Sequence, residues 1–520
     1  MEKGETLVGK SRKLLYNTLL LTASAMFMRA VTVGFQVYLA SVIGAAGVGL
    51  FSLILSAQFL ALTLAVSGIR FATTRLLSEE LGKGRQGNVA KVMRRAFCHA
   101  LCFGTLAAVC LFFFAPLIAN SWIGDIRALA PLRILAFGLP FIALTASLSG
   151  YFVAISRVIK SASVQVLEYS LRVALVVGIF TIYRPENLET ALVAIVIGGI
   201  ISEITASCIL FLVYLHDKKH LSQQGAQDGK FAHRLLSISM PLAFSTYARN
   251  ALNTLQHMLI PRGLKAHGQG SDTAMASYGL VHGMALPIVL FPSAIFYAVS
   301  ELMIPELTKA QVSQNQERIS YLVSKLLRFA LILAIGLAGI FFALSLPLGQ
   351  VIYPATHGVG GYIRILALLM PVFFLDAITD GMLKGLGQQV YSMGINIVDS
   401  VLSVALVFFL LPIFGIGGFL FMVFFTEVFN FVFSIGRIAK ITKIQVGLFD
   451  ILKPLLAIFA SVQLIPVLLR ALGLFLGPSV FYLIVHFLLA GLCYLVILFL
   501  FGAIRREDIR WMRRILGSVS

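Results

Sequence analysis

Read from its first residue, the chain is a succession of long apolar stretches separated by charged, polar or glycine- and proline-marked breaks. The stretches fall near 14–42, 47–74, 94–119, 127–155, 161–182 and 189–215. After the polar segment His216 to Lys230 they resume at 233–260, 274–305, 322–349, 360–386, 388–411 and 414–436, and they end with 452–471 and 478–503. Most reach the roughly 20 residues that a helix needs to cross a hydrocarbon core. The pattern predicts an all-α polytopic membrane protein of 14 transmembrane helices: two six-helix lobes and a final pair. The expected division is an N-terminal lobe over 1–215, a cytoplasmic linker over 216–232, a C-terminal lobe over 233–437, the last two helices within 438–503, and a basic tail over 504–520. In that tail Ile509, Trp511, Met512, Ile515 and Leu516 alternate with basic residues, predicting an amphipathic helix on the inner membrane surface.

Composition agrees, and it excludes a soluble fold. Hydrophobic residues make up 59% of the chain and charged ones 12%, half the share of a typical soluble domain, with a mean hydropathy of +0.94. A net charge of +19 and a pI of 9.9 would suggest nucleic acid in a soluble protein, so the position of the cations decides their meaning. Of the 41 lysines and arginines, 29 fall in segments on the side of the N-terminus, whereas Arg127, Arg184, Arg262, Lys265 and Arg470 fall on the other. That asymmetry predicts both termini in the cytoplasm of a cell whose cytoplasmic membrane the chain crosses. It assigns the positive balance to topology and to anionic inner-leaflet lipid, and it leaves nucleic acid no part. The apolar run after Lys10, Arg12 and Lys13 is too long for a signal peptide and reads as an uncleaved first crossing. The five cysteines lie in apolar segments, and Cys98 and Cys102 beside His99 lack the further ligands of a metal site; no metal or cofactor is expected.

Compared with itself, the chain shows an internal repeat in three blocks. Arg29 is followed seven positions on by Gln36, and Arg249 by Gln256 at the same spacing. The segment from Ser67 to Leu81 aligns with that from Ser293 to Leu307, and both end in a glutamate and a leucine. At an offset of 231 positions, Arg133-Ile-Leu-Ala136 falls on Arg364-Ile-Leu-Ala367, Pro140 on Pro371, Gly150 on Gly381, Glu168 on Asp399, and Val173-Ala-Leu-Val176 on Val404-Ala-Leu-Val407. Halves offset by an even number of crossings share one orientation, so a pseudo-twofold along the membrane normal is expected, with a substrate cavity between lobes.

Ionisable side chains inside a bilayer cost several kcal/mol unless they face protein or water, which makes them candidates for function. Arg29 and Arg249 lie mid-crossing on repeat-equivalent helices, and their guanidinium forks suit an anionic, phosphate-bearing head group; each could instead cap a carbonyl or pair with an acid of its own lobe. Gln36 and Gln256, two turns on, would bind sugar hydroxyls or bridge helices. Arg172 is a further substrate candidate, although Glu168 stands four residues before it and the two can pair on one helix face. Asp399 has Ser403 where Glu168 has Arg172, and so lacks a local counter-ion. Glu168, Asp399 and the i, i+4 pair Asp376 and Asp380 are the candidates for carrying a coupling proton or cation, while Glu203 and Glu427 read as residues that fasten helices. No nucleophile elbow, zinc spacing or phosphate loop is present, which argues against an enzyme and against ATP as the energy source.

Fourteen crossings in two parallel lobes plus a pair, with Leu39 to Phe51 closing the first outer loop and Ser67-Gly-Ile-Arg70 following, resemble the multidrug/oligosaccharidyl-lipid/polysaccharide (MOP) exporter superfamily. Within it the chain is similar to the stage V sporulation protein B group of polysaccharide-biosynthesis flippases, relatives of the lipid II flippases. The resemblance implies movement of an undecaprenyl-pyrophosphate-linked saccharide, such as a peptidoglycan or spore-cortex precursor, by alternating access. It further implies a monomer in contact with cell-wall synthesis enzymes. Arg29 corresponds to an arginine of the lipid II flippases' first helix, whereas Phe35, Leu62 or Thr63, and Pro287 stand where those flippases carry others. Two other readings remain: a cation-coupled multidrug exporter, which would want an acid where Arg29 stands, and a non-transporting scaffold for cell-wall synthesis.

Overall fold

A computed structural model describes residues 2–66, 68–155, 157–218, 231–443, 446–471 and 479–503. The centre of the predicted linker, Ser67 at the head of the second repeat block, and the basic tail with its expected amphipathic helix lie outside the described residues.

Among the described residues every regular element is helical. The first two predicted crossings are two helical segments, labelled together α1 (Glu2–Val66), that meet at the non-helical Gly44, at φ 66° and ψ 179°. That conformation is open essentially to glycine alone, so the predicted break at 43–46 is a sharp kink at which two helical segments meet. The predicted crossing 47–74 is instead broken, because Gly68, at φ 67°, starts a new helix, α2 (Ile69–Gly82). α3 (Asn88–Leu117) leads to α4 (Leu129–Ala136) and α5 (Leu139–Ala154), which meet at a bend of 47° with Pro140 in the first turn of α5. α6 (Val158–Tyr183), α7 (Leu188–Lys218) and α8 (Phe231–Ala266) follow.

α9 (Ser271–Tyr278), a π-helical turn over Gly279–Ala285 and α10 (Leu286–Val289) meet α11 (Ser293–Val312) at a bend of 54°. After α12 (Gln316–Ile352), α13 (Val359–Ala367) and α14 (Met370–Gly385) join at 53°, with Pro371 placed as Pro140 is. The chain ends with α15 (Gln389–Phe414), α16 (Ile416–Ile441), α17 (Phe449–Ala471) and α18 (Val480–Leu500). By length and composition, nine helices among the described residues can cross a membrane, or up to twelve with each bent pair counted as one crossing. The protein is a multi-pass helical membrane protein.

Contacts divide the chain into two compact units, 46–276 with 407–415, and 1–45 with 277–406 and 416–520. In the unit containing 46–276, Ile69 and Leu76 of α2, Val92 of α3, Phe152 of α5 and Leu210 of α7 form a common core. In the other, α17 and α18 pack on α12 around Ile340, Ile458 and Tyr494. Gly336 and Gly339 of α12 leave the room that the Tyr494 ring and the Ile458 side chain occupy, and the Tyr494 hydroxyl donates to the Ile332 carbonyl at 2.7 Å. Small residues that admit a close neighbour suit packing in lipid, where apolar burial offers little gain.

Each unit repeats the same local devices. A Cβ on Gly150 would lie 2.6 Å from the Arg70 carbonyl oxygen, and one on Gly381 would overlap the Ser300 hydroxyl, so α5 presses on α2 and α14 on α11 through a glycine. The Arg133 guanidinium lies 5.3 Å from the Phe112 ring centre, and that of Arg364 4.7 Å from the Phe342 ring. Glu80 holds Arg234 at 2.8 Å, and its repeat partner Glu306 holds Arg318 at 3.0 Å.

Candidate functional site

In the unit containing 46–276, α6 and α7 bring three predicted residues together. The Arg172 guanidinium donates to Glu168 at 2.8 Å, one turn earlier on α6, and to Glu203 on α7 at 2.9 Å. It also lies over the Tyr169 ring, 5.1 Å from its centre. One cation between two carboxylates fastens the two helices, and this charge is committed within the protein.

Arg249 is exposed on α8. The opposite side of that helix is laid on α1 beyond its kink, where buried Asn250 donates to the Thr63 hydroxyl at 2.7 Å and Thr254 to the Ser56 carbonyl at 3.2 Å. Successive helical residues diverge by about 100°, so a seam through Asn250 and Thr254 turns Arg249 aside from it. Gln256, further along, makes a polar contact of its own.

The other unit is organised differently. Arg29, half-buried on α1 before the kink, forms no ion pair among the described residues and feels the Tyr297 hydroxyl of α11. Gln36, two turns on, has a buried amide oxygen without a hydrogen-bond partner among the described residues. Tyr297 also interacts electrostatically with Asp376 and Asp380 of α14 and with Glu427 of α16, and Asp376 interacts with Asp399 of α15. These acids differ in their partners. Asp380 is paired with Lys384 at 2.6 Å and accepts from the Ser392 hydroxyl. Asp376 and Asp399 each have one buried carboxylate oxygen without a partner among the described residues, and Glu427 interacts electrostatically with both of them.

Spacing did not single out Tyr297. The available signal was its place in the second repeat block, where the first half has Phe71: a hydroxyl gained at an otherwise aromatic position. Glu427, expected to fasten helices, interacts electrostatically with Asp376 and Asp399. Beside exposed Cys98 and Cys102, His99 stacks on Phe103 with centres 4.5 Å apart. Among the described residues no three metal-ligating side chains converge.

Residues 14–311 match the family described as "Polysaccharide biosynthesis protein". Stage V sporulation protein B of Bacillus subtilis (strain 168) is 25% identical over 411 residues, which is 78% of this chain and 79% of that protein. Among solved structures, the lipid II flippase MurJ in an inward closed conformation covers 93% of this chain and 98% of its own length, with a TM-score of 0.72 and 15% identity. An inward-facing multidrug resistance transporter of the MATE family, in the MOP superfamily, covers 81% of this chain and 96% of its own, with a TM-score of 0.62 and 14% identity. The expected MOP-type fold is the observed one.

Proposed function

The chain belongs to the polysaccharide biosynthesis protein family, and on that premise we propose that it is a flippase for a lipid-linked saccharide. Its cargo in this reading is an undecaprenyl-pyrophosphate-linked precursor of peptidoglycan or spore cortex, carried across the cytoplasmic membrane by alternating access and released unaltered. The observation that carries the reading is Arg29: a guanidinium half-buried within an apolar helix, in no ion pair among the described residues. Such a group asks for an anion, and a pyrophosphate offers the matching bidentate acceptors. Gln36, two turns from Arg29 in the same unit and with a buried amide oxygen that has no partner among the described residues, receives a saccharide hydroxyl, and Arg249, exposed on α8 of the other unit, is a separate candidate for binding an anion. Gln256 is the corresponding polar candidate on α8. Arg172 contributes through the helix pair it fastens. A multidrug exporter taking cationic compounds would gain nothing from Arg29 or Arg249.

The energy source in this reading is a proton taken up at Asp376 and Asp399. Each has an oxygen without a partner among the described residues, and both interact electrostatically with a further acid, Glu427. Glu168 and Asp380 already hold cationic partners, Arg172 and Lys384, and are placed for structural work. The test is translocation of a labelled polyprenyl-pyrophosphate saccharide in proteoliposomes. Arg29→Ala lowers the rate about tenfold or more with an unchanged melting temperature. Wild-type rates from both Arg29→Ala and Arg249→Ala would sink the reading.

A further inference from the structure

At one end of the unit containing 46–276, α3, α7 and α8 surround a cavity of about 530 Å³. Lys91, Arg94 and Arg95 from the first two turns of α3 and Lys218 from the last turn of α7 line it, and none of its lining residues is acidic. Acids in the same region hold cations of their own, although the second oxygen of Asp217 is buried without a hydrogen-bond partner among the described residues. Asp217 is held by Lys160 at 2.6 Å and by Arg157 at 3.1 Å, and Glu80 by Arg234 at 2.8 Å and by Asn88 at 2.7 Å. Arg94, Arg95 and Lys218 form no ion pair among the described residues.

The cavity wall is aromatic and braced. Tyr214, 3% exposed, meets the Tyr151 ring edge-on at 5.0 Å and the Phe97 ring at 5.5 Å. Phe211 packs on Phe97 at 5.8 Å while keeping 41% of its surface open, as Leu215 keeps 38%. The lining thus combines cations with apolar and aromatic side chains, Phe211 and Leu215 of α7 among them. The predicted crossings start at 94 and end at 215, so the cavity lies where helix leaves membrane, on the side that the basic residues assign to the cytoplasm.

Arg94, Arg95 and Lys218, in no ion pair among the described residues, repel one another and call for a bound anion, and guanidinium forks fit phosphate oxygens bidentately. A soluble anion would answer the charge and leave the open apolar wall unused. We propose that this cavity binds the phosphate head group of an anionic inner-leaflet phospholipid. Arg94 and Arg95 hold the phosphate, Lys91 and Lys218 flank it, and the acyl chains run along Phe211 and Leu215. The site lies apart from the arginines assigned to the cargo, and a lipid seated there would staple the ends of α3, α7 and α8.

Native mass spectrometry of the full chain, delipidated and then titrated with phosphatidylglycerol or phosphatidylcholine, tests the proposal. Wild-type protein is expected to retain one phosphatidylglycerol at least about tenfold more tightly than phosphatidylcholine. Arg94→Gln with Arg95→Gln removes that preference, while the charge-matched Lys440→Gln with Lys443→Gln keeps it. Equal losses from the two double variants would mean diffuse surface attraction and overturn the site. Binding of glycerophosphoglycerol as tight as that of the diacyl lipid would mark a soluble-anion site and overturn the lipid assignment. Should the arginine pair fail to fold when replaced, Lys91→Gln with Lys218→Gln is read in the same way, and unchanged retention overturns the proposal.

Discussion

Two arginines set in apolar helices have opposite surroundings. Arg172 sits between Glu168 and Glu203 at 2.8 and 2.9 Å, whereas Arg29 meets no carboxylate among the described residues. Removing the first strands two carboxylates in a low-dielectric setting; removing the second strands nothing. Arg172→Ala is therefore expected to lower stability by about 3 kcal/mol, seen as a fall in melting temperature in detergent. The triple replacement Arg172→Met, Glu168→Gln, Glu203→Gln recovers most of that loss, because polar amides of similar shape need no counter-ion. Arg29→Ala should show the reverse profile, normal melting with impaired translocation. The sequence contained half of this. Spacing of four residues revealed Glu168 with Arg172, but Glu203 stands 31 residues further on and only the packing of α6 on α7 brings it in. The same rule paired Asp380 with Asp376, while the residue that Asp380 binds is Lys384, four positions the other way. Periodicity names the neighbours available on a helix face; charge and geometry select among them.

The helices owe their boundaries to single glycines and prolines, and their contacts to glycines without a side chain. At Gly150 the obstructing atom is a backbone carbonyl oxygen, which cannot rotate away, and Thr74 donates to the Gly150 carbonyl at 3.0 Å across the same contact. Gly150→Ala is expected to cost about 1–3 kcal/mol through displacement of α5 from α2, measurable as reduced thermal stability. Gly381→Ala should cost less, since the atom in its way is the rotatable Ser300 hydroxyl, which gives up its bond to the Ala377 carbonyl at 3.2 Å. Apolar runs placed nearly every helix of this fold, because a crossing must be long and uninterrupted. They did not reveal that 47–74 breaks at Gly68 or that 127–155 and 360–386 bend at Pro140 and Pro371. Hydropathy is blind to direction: a bent crossing and a straight one bury the same apolar residues, and only the conformational limits of glycine and proline distinguish them.

Across the whole molecule the two halves share their architecture and differ in their charge. Gly150 and Gly381, Pro140 and Pro371, and Arg133 and Arg364 occupy matching settings, so the backbone frame was duplicated and kept. The acids were not treated alike. Glu168 has its counter-ion in Arg172, while its counterpart Asp399 has a serine at the corresponding place and a buried oxygen without a partner. One half thus gives two buried carboxylates a shared cation, Arg172, whereas in the other Asp380 has Lys384 but Asp376 and Asp399 have no ion pair among the described residues. If that division supplies the coupling, installing the missing cation should silence it. Ser403→Arg copies the Glu168 and Arg172 arrangement beside Asp399, one turn away on α15. The expected result is a flippase whose translocation no longer accelerates under an imposed proton gradient, measured in proteoliposomes at matched protein content. Ser403 is buried, so Asp399→Asn provides the same test without added bulk. A gradient response that survives in both variants would place the coupling outside Asp399. A response lost in both, with binding of the lipid-linked saccharide retained, would tie the energy source to the half in which the repeat gave up its arginine.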